Sequence, residues 1–306
     1  MKTLVVGGTG MIGGHAALFL KKHGYDVTIT GRKPPGADTP MTGLPFQRGD
    51  FVAGDFGRDV LSGFDSIVFA AGNDFRHLDP NGDAVKQLER ANCEAVPRFF
   101  RDARDAGVRR AIYIGSFYSQ AVPGLAKTND YVRSRVAADE GARAANTDRF
   151  AVISLNAPMI VGQMPGLGIK TLAGEPRYAL GLLPDMPVFA PEGGTHFMSL
   201  RSLSEAILGA LRNGTPGKAY LVGDQNLSFK DYLDMYFRAA GRDIRLEVRN
   251  AEHPLIPASW IYTGLGSTVA YDIPPDEAKQ LGYTRNDVAR AVKEIVDMYK
   301  AQNGMS

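Results

Sequence analysis

The chain has 306 residues, enough for one large α/β unit or two lobes whose core needs no disulfide staples. Apolar residues make up 44% and charged residues 22%, and 35 basic against 33 acidic residues leave a formal charge of +2, so there is no electrostatic footprint for nucleic acid or an anionic membrane. The single cysteine, Cys93, excludes an internal disulfide framework and a cysteine metal cluster, and His15, His23, His77, His196 and His253 lie too far apart for metal-ligand spacing.

Residues 2–7 read as a core strand at the very start, which leaves no room for a signal peptide. The run 10–20 is too short to span a bilayer and contains His15. The expectation is a soluble protein of a reducing compartment, most simply the cytoplasm. A helix follows over 11–23, with Ile12, Ala16, Phe19 and Leu20 on one side and Gly24 as its C-cap. Strands are predicted at 25–30, 51–54 (weaker), 66–71, 110–115 and 150–155, with long helices at 84–106 and 128–146. Alternation of this kind argues for a Rossmann-type α/β fold, a doubly wound parallel sheet covered on both faces. Beyond residue 156, Pro158, Pro165, Pro176, Pro184, Pro187 and Pro191 punctuate a glycine-rich stretch of loops. Helices resume at 202–212, 229–240 and 285–300. The division expected is a dinucleotide-binding domain over 1–156, with returning elements from about 195–225, and a smaller substrate lobe over 157–306.

Gly7-Gly8-Thr9-Gly10-Met11-Ile12-Gly13 joins the first strand to the first helix and satisfies GxGxxG. Glycine supplies the tight turn, its missing Cβ lets backbone approach a pyrophosphate, and the helix N-terminus offers unpaired N–H groups. At the end of the second strand an NAD site expects an acid. Here stand Gly31, Arg32 and Lys33, while Asp26 is at the wrong end. Arg32 offers a charged fork suited to a 2′-phosphate, so NADP is favoured over NAD. Ala70-Ala71-Gly72 closes the fourth strand with small residues. Asp55 with Phe56, or Asp50 with Phe51, would bring an acid near the adenine amino group, and each Asp also reads as a plain turn residue. Asn92 falls on the apolar stripe Val85, Leu88, Asn92, Phe99, where a buried amide needs partners.

These residues resemble the extended short-chain dehydrogenase/reductase superfamily, of the NAD(P)-dependent epimerase/dehydratase and 3β-hydroxysteroid dehydrogenase type. The glycine loop is similar to that family's fingerprint, and Asn92 to its fourth-helix asparagine. Tyr131-Val132-Arg133-Ser134-Arg135 resembles its YxxxK motif with Arg135 in place of lysine. Asn156-Ala157-Pro158-Met159 resembles the strand exit that flanks the nicotinamide. Residues 195–206, 221–229 and 281–283 resemble later family segments. The resemblance implies Tyr131 as the proton donor or acceptor and Arg135 as the group that holds the nicotinamide ribose and keeps a positive charge beside the phenol. Tyr131 and Arg135 share a helix face by their spacing of four. Tyr131 also reads as a packed aromatic on an amphipathic helix. Guanidinium is bulkier than ammonium and cannot relay a proton. The family's serine or threonine past the fifth strand aligns with Phe117, which leaves Ser116 as the favoured hydroxyl and Ser119 as its neighbour.

The loops around Met164, Leu167, Leu172, Tyr178, Leu182, Leu183, Phe189 and Phe197 are apolar, as expected of a hydrophobic ketone or secondary alcohol or of the small lobe's own core. Arg177 and Arg201 keep a sugar nucleotide open as substrate. The reading is an NADP-dependent oxidoreductase acting on a small molecule, with two alternatives: a sugar-nucleotide epimerase or dehydratase, and a non-catalytic NADP-binding redox sensor. Ala137, Ala138, Ala142 and Ala145 on the Tyr131 helix point to a homodimer. No metal, nucleic-acid or membrane partner is expected.

Overall fold

The computed structural model describes residues 1–72, 78–167 and 173–305. In chain order its first half runs β1 (Lys2–Val6), α1 (Met11–Lys22), β2 (Asp26–Gly31), β3 (Phe46–Arg48), α2 (Arg58–Leu61), β4 (Ser66–Phe69) and α3 (Ala84–Leu88). A π-helical stretch, Glu89–Ala95, leads straight into α4 (Val96–Asp105), followed by β5 (Arg110–Ser116), α5 (Tyr118–Ala121), α6 (Asp130–Arg143) and β6 (Ala151–Ala157). The second half holds β7 (Met159–Val161), α7 (Gly174–Ala179), β8 (Ala190–Pro191), β9 (Gly194–Ser199), α8 (Leu200–Asn213), β10 (Ala219–Leu221) and β11 (Gln225–Ser228). It ends with α9 (Phe229–Ala239), β12 (Val248–Arg249), β13 (Thr268–Val269), α10 (Pro275–Leu281) and α11 (Val288–Gln302).

Seven strands form one parallel sheet in the order β10-β6-β5-β4-β1-β2-β3. The strand order reverses between β1 and β4, which opens a crevice at their carboxyl ends. Alternate residues of each strand supply two cores. Val5, Val68, Ile112 and Leu155 face α1 and α8, where Ala16, Leu20, Leu203 and Ile207 close the layer. Val6, Phe69, Tyr113 and Val152 face α4 and α6, against Phe99, Phe100, Ala138 and Ala142. Near-continuous apolar runs of this kind are what a sheet buried on both faces requires.

The third strand is Phe46–Arg48, not 51–54. Residues 51–54 form a turn, because Asp50 and Asp55 close it with their carboxylates on the N–H groups of Val52 and Asp50. Ala138, Ala142 and Ala145 are buried in the chain's own core, where the small side chains let α6 and the turn after it pack on the sheet, while Ala137 is half-buried. The π-helical stretch has a local cause. Pro97 has no N–H for the carbonyl four residues before it, and the helix register slips there.

Pro158 ends β6, since proline cannot extend the ladder. The chain then crosses to a second sheet in which β9 lies between β11 and β13 and also pairs β7. That sheet and helices α7, α9 and α11 enclose a separate core around Phe197, Tyr232, Tyr236, Phe237 and Val292. Among the described residues no helix is long and apolar enough to cross a membrane.

Candidate active site

The glycine loop lies in the crevice between β1 and β4. Gly7 has φ +79°, a conformation open to glycine, and a Cβ there would meet main-chain atoms of Ala70 and Ala71 at 3.0 Å. Gly7 therefore binds the loop to the end of β4, and Ala70 and Ala71 serve as its seat. A Cβ on Gly13 would lie 2.3 Å from the Gly7 carbonyl oxygen, so α1 can start this close to the turn only with glycine there. Gly10 caps α1 without a side-chain hydrogen bond, and the first turn of α1 carries no acid. The leading N–H groups of the helix, at Met11, Ile12 and Gly13, thus face the crevice mouth with a partial positive charge. This donor set fits a diphosphate. The Thr9 side chain reaches across to Gly31 at the end of β2, where a Cβ would meet its Oγ1 at 2.6 Å.

Arg32 and Lys33 follow β2 directly and are exposed, on the side of the loop where a dinucleotide's adenosine ribose is expected. Asp26 pairs with Lys2 at the opposite end of the strand. The Asp55 carboxylate accepts the Asp50 N–H at 2.8 Å, and Phe56 packs edge-on against Phe99, ring centroids 5.7 Å apart. Both side chains are engaged in the fold itself.

Across the crevice, α6 carries Tyr131 and Arg135. Asn129 caps the helix by accepting the Val132 N–H at 3.0 Å. Asn92, fully buried on the π-helical stretch, donates from Nδ2 to Ser134 Oγ at 3.0 Å, and Ser134 donates to the Tyr131 carbonyl at 2.8 Å. Asn92 thus fixes the first turn of α6. Arg135 is 7% exposed; its Nη2 donates to the Ile114 carbonyl at 2.9 Å and its guanidinium lies 5.8 Å from the Tyr113 ring centre. Burial pushes the Tyr113 hydroxyl up to about 12, opposed by the Arg135 charge. Gly72 makes room for this arginine, because a Cβ there would sit 2.4 Å from Nη1. Lysine carries no such fork, so the larger head and the missing side chain at 72 belong together.

Ser116 is 8% exposed at the end of β5. The Ser119 hydroxyl donates to the Ser116 carbonyl at 2.8 Å, and Tyr118 carries a third hydroxyl in this segment. Asn156 turns its amide toward Gln120, at 2.7 Å, and toward Asp139, at 3.4 Å, which Arg143 holds at 3.1 Å. Its side chain therefore joins the buried network under α6. Pro158 is buried and Met159 opens β7.

The wall in front of Tyr131 is aromatic. Phe117, Tyr118, Tyr131, Tyr262 and Tyr271 form one cluster with Val132 and Val269. The apolar loop residues expected to line the site lie elsewhere. Met164 and Leu167 pack on the α1/α8 core, and Tyr178, Leu183, Phe189 and Phe197 pack inside or against the small lobe's core. Arg201 pairs with Glu205 at 2.9 Å. Leu172 and His77 lie outside the described residues. From the sequence Trp260 and Tyr262 are candidates to border the same cavity but have no place in it, and Tyr118 is a further hydroxyl past the fifth strand; the contacts of Tyr262 with Tyr118 and Tyr131 join segments more than a hundred residues apart, which no local pattern records.

The glycine turn at the switch point of a parallel sheet defines a dinucleotide-binding protein of the Rossmann class. A family model described as the NAD dependent epimerase/dehydratase family matches residues 3–223, and the chain belongs to that family. Its members are NAD-dependent enzymes of the extended short-chain dehydrogenase/reductase type. Among solved structures, gox2253 is similar at TM-score 0.76 with 19% identity, over 99% of each chain. The Bordetella bronchiseptica enzyme WbmG in complex with NAD gives 0.74 at 17% identity, covering 100% of this chain and 96% of that one. UDP-glucuronic acid 4-epimerase from Bacillus cereus in complex with NAD gives 0.71 at 17% identity over 99% of each chain. These likenesses are of fold. No curated protein matches the sequence.

Proposed function

We propose that this chain is an NAD(P)-dependent enzyme that oxidises a secondary alcohol, or reduces the matching ketone, on a small molecule. The observation that supports the reading is buried Arg135, held on the Ile114 carbonyl and packed against Gly72 just past β4, with Tyr131 one helical turn before it on α6. When bound, NAD(P) supplies the hydride acceptor or donor. Met11, Ile12 and Gly13 hold its diphosphate through their N–H groups. Arg135, anchored on the Ile114 carbonyl, keeps a fixed positive charge one helical turn from Tyr131 and orients the ribose. The Tyr131 hydroxyl takes the proton of the substrate alcohol or returns it to the ketone oxygen, and the Ser116 hydroxyl donates a hydrogen bond to that oxygen. Asn92 and Ser134 keep the Tyr131 turn in place.

Two fates of the ketone separate the candidate activities. Release gives a net dehydrogenase or reductase, with NADP favoured by exposed Arg32 and Lys33 beyond β2 and no acid there. Retention and return of hydride from the other face gives an epimerase, and elimination a dehydratase. The family membership and the structural likeness to two Bacillus cereus 4-epimerases of UDP-sugars favour retention, with a sugar nucleotide as substrate. The retained Tyr131 with a cation four residues on favours an enzyme over a redox sensor.

The test incubates purified protein with NAD+ or NADP+ and, separately, secondary alcohols and UDP-hexoses, following absorbance at the reduced-nicotinamide band and product stereochemistry. Net reduction of cofactor marks release; a UDP-hexose epimer without net reduction marks retention. Tyr131→Phe is expected to lower either rate by about 10²–10⁴-fold while cofactor affinity stays. Full turnover in that variant would remove Tyr131 from the mechanism.

A further inference from the structure

The ring of Tyr131 is covered from within the chain. Tyr262 lies 5.2 Å from it, centre to centre, at 36°, and also 5.2 Å from Tyr118 at 63°. Tyr118 stands 4.2 Å from Phe117, which lies 6.0 Å from Tyr271. Phe117 and Tyr118 come from the end of β5 and the start of α5, and Tyr131 from the first turn of α6. Tyr262 comes from a loop of the small lobe. The N–H groups of Trp260, Ile261, Gly264 and Ser267 each bond the carbonyl three residues earlier. Bonds this local move with the loop; the Tyr262 main chain also bonds the Tyr118 hydroxyl, and Ile261 and the Ser267 carbonyl tie the flanking residues to the small lobe, so these are the contacts that a displacement must strain or break. Gly264 and Gly266, at φ +99° and +79°, supply turns next to it, and β13 anchors the far end on β9.

We infer that Tyr262 is a specificity-determining gate: its ring holds the place of the substrate's ring, and substrate reaches Tyr131 by displacing it and taking over the contacts with Tyr131 and Tyr118. The inference rests on the reading of Tyr131 as the proton-transferring group. Two rings whose centres are 5.2 Å apart are in contact, so no third ring enters between them unless one leaves. What the chain itself puts there gives the class of substrate. It is a compact six-membered ring with flat apolar faces and an oxygen at its edge, next to the carbon that is oxidised. An aryl alcohol and the C–H face of a pyranose both offer that chemistry, and the experiment separates them.

Trp260 is the only tryptophan, two residues before Tyr262 and 37% exposed, so its emission reports the loop. Cofactor-loaded protein is titrated with 1-phenylethanol in one arm and UDP-glucose in the other, with excitation selective for tryptophan. A saturable change in Trp260 emission is expected in at least one arm, and the responding arm names the source of the ring. In parallel, Tyr262→Ala is expected to bind p-cresol, the deleted side chain as a free molecule, about tenfold or more tighter than the parent protein by calorimetry. It should also lower KM for the responding substrate, whereas Tyr262→Phe keeps the parent KM. If Tyr262→Ala does not fold, Tyr262→Leu takes the same KM measurement. Emission unmoved in both arms, or p-cresol affinity and KM equal to the parent's, overturns the gate. If emission is fixed while Tyr131→Phe still abolishes turnover, the proton-transfer reading stands without the gate, so the two failures are distinct.

Discussion

Gly13 and Gly10 are three residues apart in one loop, and alanine at each should damage a different property. A Cβ at Gly13 would sit 2.3 Å from the Gly7 oxygen and 2.7 Å from the Gly7 carbonyl carbon, main-chain atoms that cannot swing aside. Overpacking of that kind costs about 1–3 kcal/mol. Alanine recovers up to about 1 kcal/mol of helix propensity at this position. The net expectation is a loss of about 1–2 kcal/mol, a fall in Tm of a few degrees. At Gly10 the backbone has φ −92°, and the nearest contact of a new Cβ is the Gly7 oxygen at 3.4 Å. Gly10→Ala should therefore change stability by less than about 1 kcal/mol. Its methyl group stands at the exposed N-cap, and Kd for NADH and NADPH should rise about tenfold or more, equivalent to 1.4 kcal/mol. Thermal melts without cofactor and calorimetry with each dinucleotide read the two effects apart. Unchanged cofactor affinity in Gly10→Ala, with a normal melt, would refute the assignment of this loop as the diphosphate seat.

Gly72→Ala should displace the Arg135 guanidinium and lower activity, while the double variant Gly72→Ala/Arg135→Lys should recover part of the loss; strict additivity in that cycle would show that residue 72 does not act through Arg135. Arg32→Ala should weaken NADPH far more than NADH, and equal weakening would remove the 2′-phosphate assignment. Burial of Glu175 raises its carboxyl from 4.5 to about 7. The folded state then holds this proton more tightly than the unfolded chain, so its contribution is full below pH ~4.5 and is lost as pH rises through about 7. Glu175→Gln should be the more stable protein above pH 7 by about 3 kcal/mol, read from denaturant melts across the pH range; parallel curves for variant and parent would count against it.

Much of the sheet could be read in advance because β1, β4, β5 and β6 are buried on both faces and their apolar runs have no other use. β3 escaped because an edge strand needs only backbone pairing, and Gln47 and Arg48 carry no apolar signal. Phe51 looked like a strand residue yet packs from a turn onto Phe69, 5.1 Å away. The glycine loop was legible because its glycine spacing between a strand and a helix is local in sequence, although the atoms that require glycine at position 7 belong to Ala70 and Ala71. Arg135 was legible as a departure from YxxxK, but its dependence on Gly72 was not, since the two positions meet only after α6 docks on the sheet. Of the two readings of the apolar loops, the structure agrees with core packing. Apolar residues around Met164 and Phe197 satisfy their own lobes, and the rings that cover Tyr131 are tyrosines, whose half-polar character gives no clean periodic pattern.

The seventh strand, β10, pairs with β6 although the chain makes the whole β7–β9 excursion and α8 before reaching it. A cut after residue 157 would strip β6 of its outer neighbour and uncover the α1 face that α8 covers. The two halves are thus interleaved like clasped fingers, and a truncated front half would expose a raw, sticky edge. Exchange of substrate lobes between relatives would have to preserve that returning strand, so diversification is channelled into the stretches on either side of it.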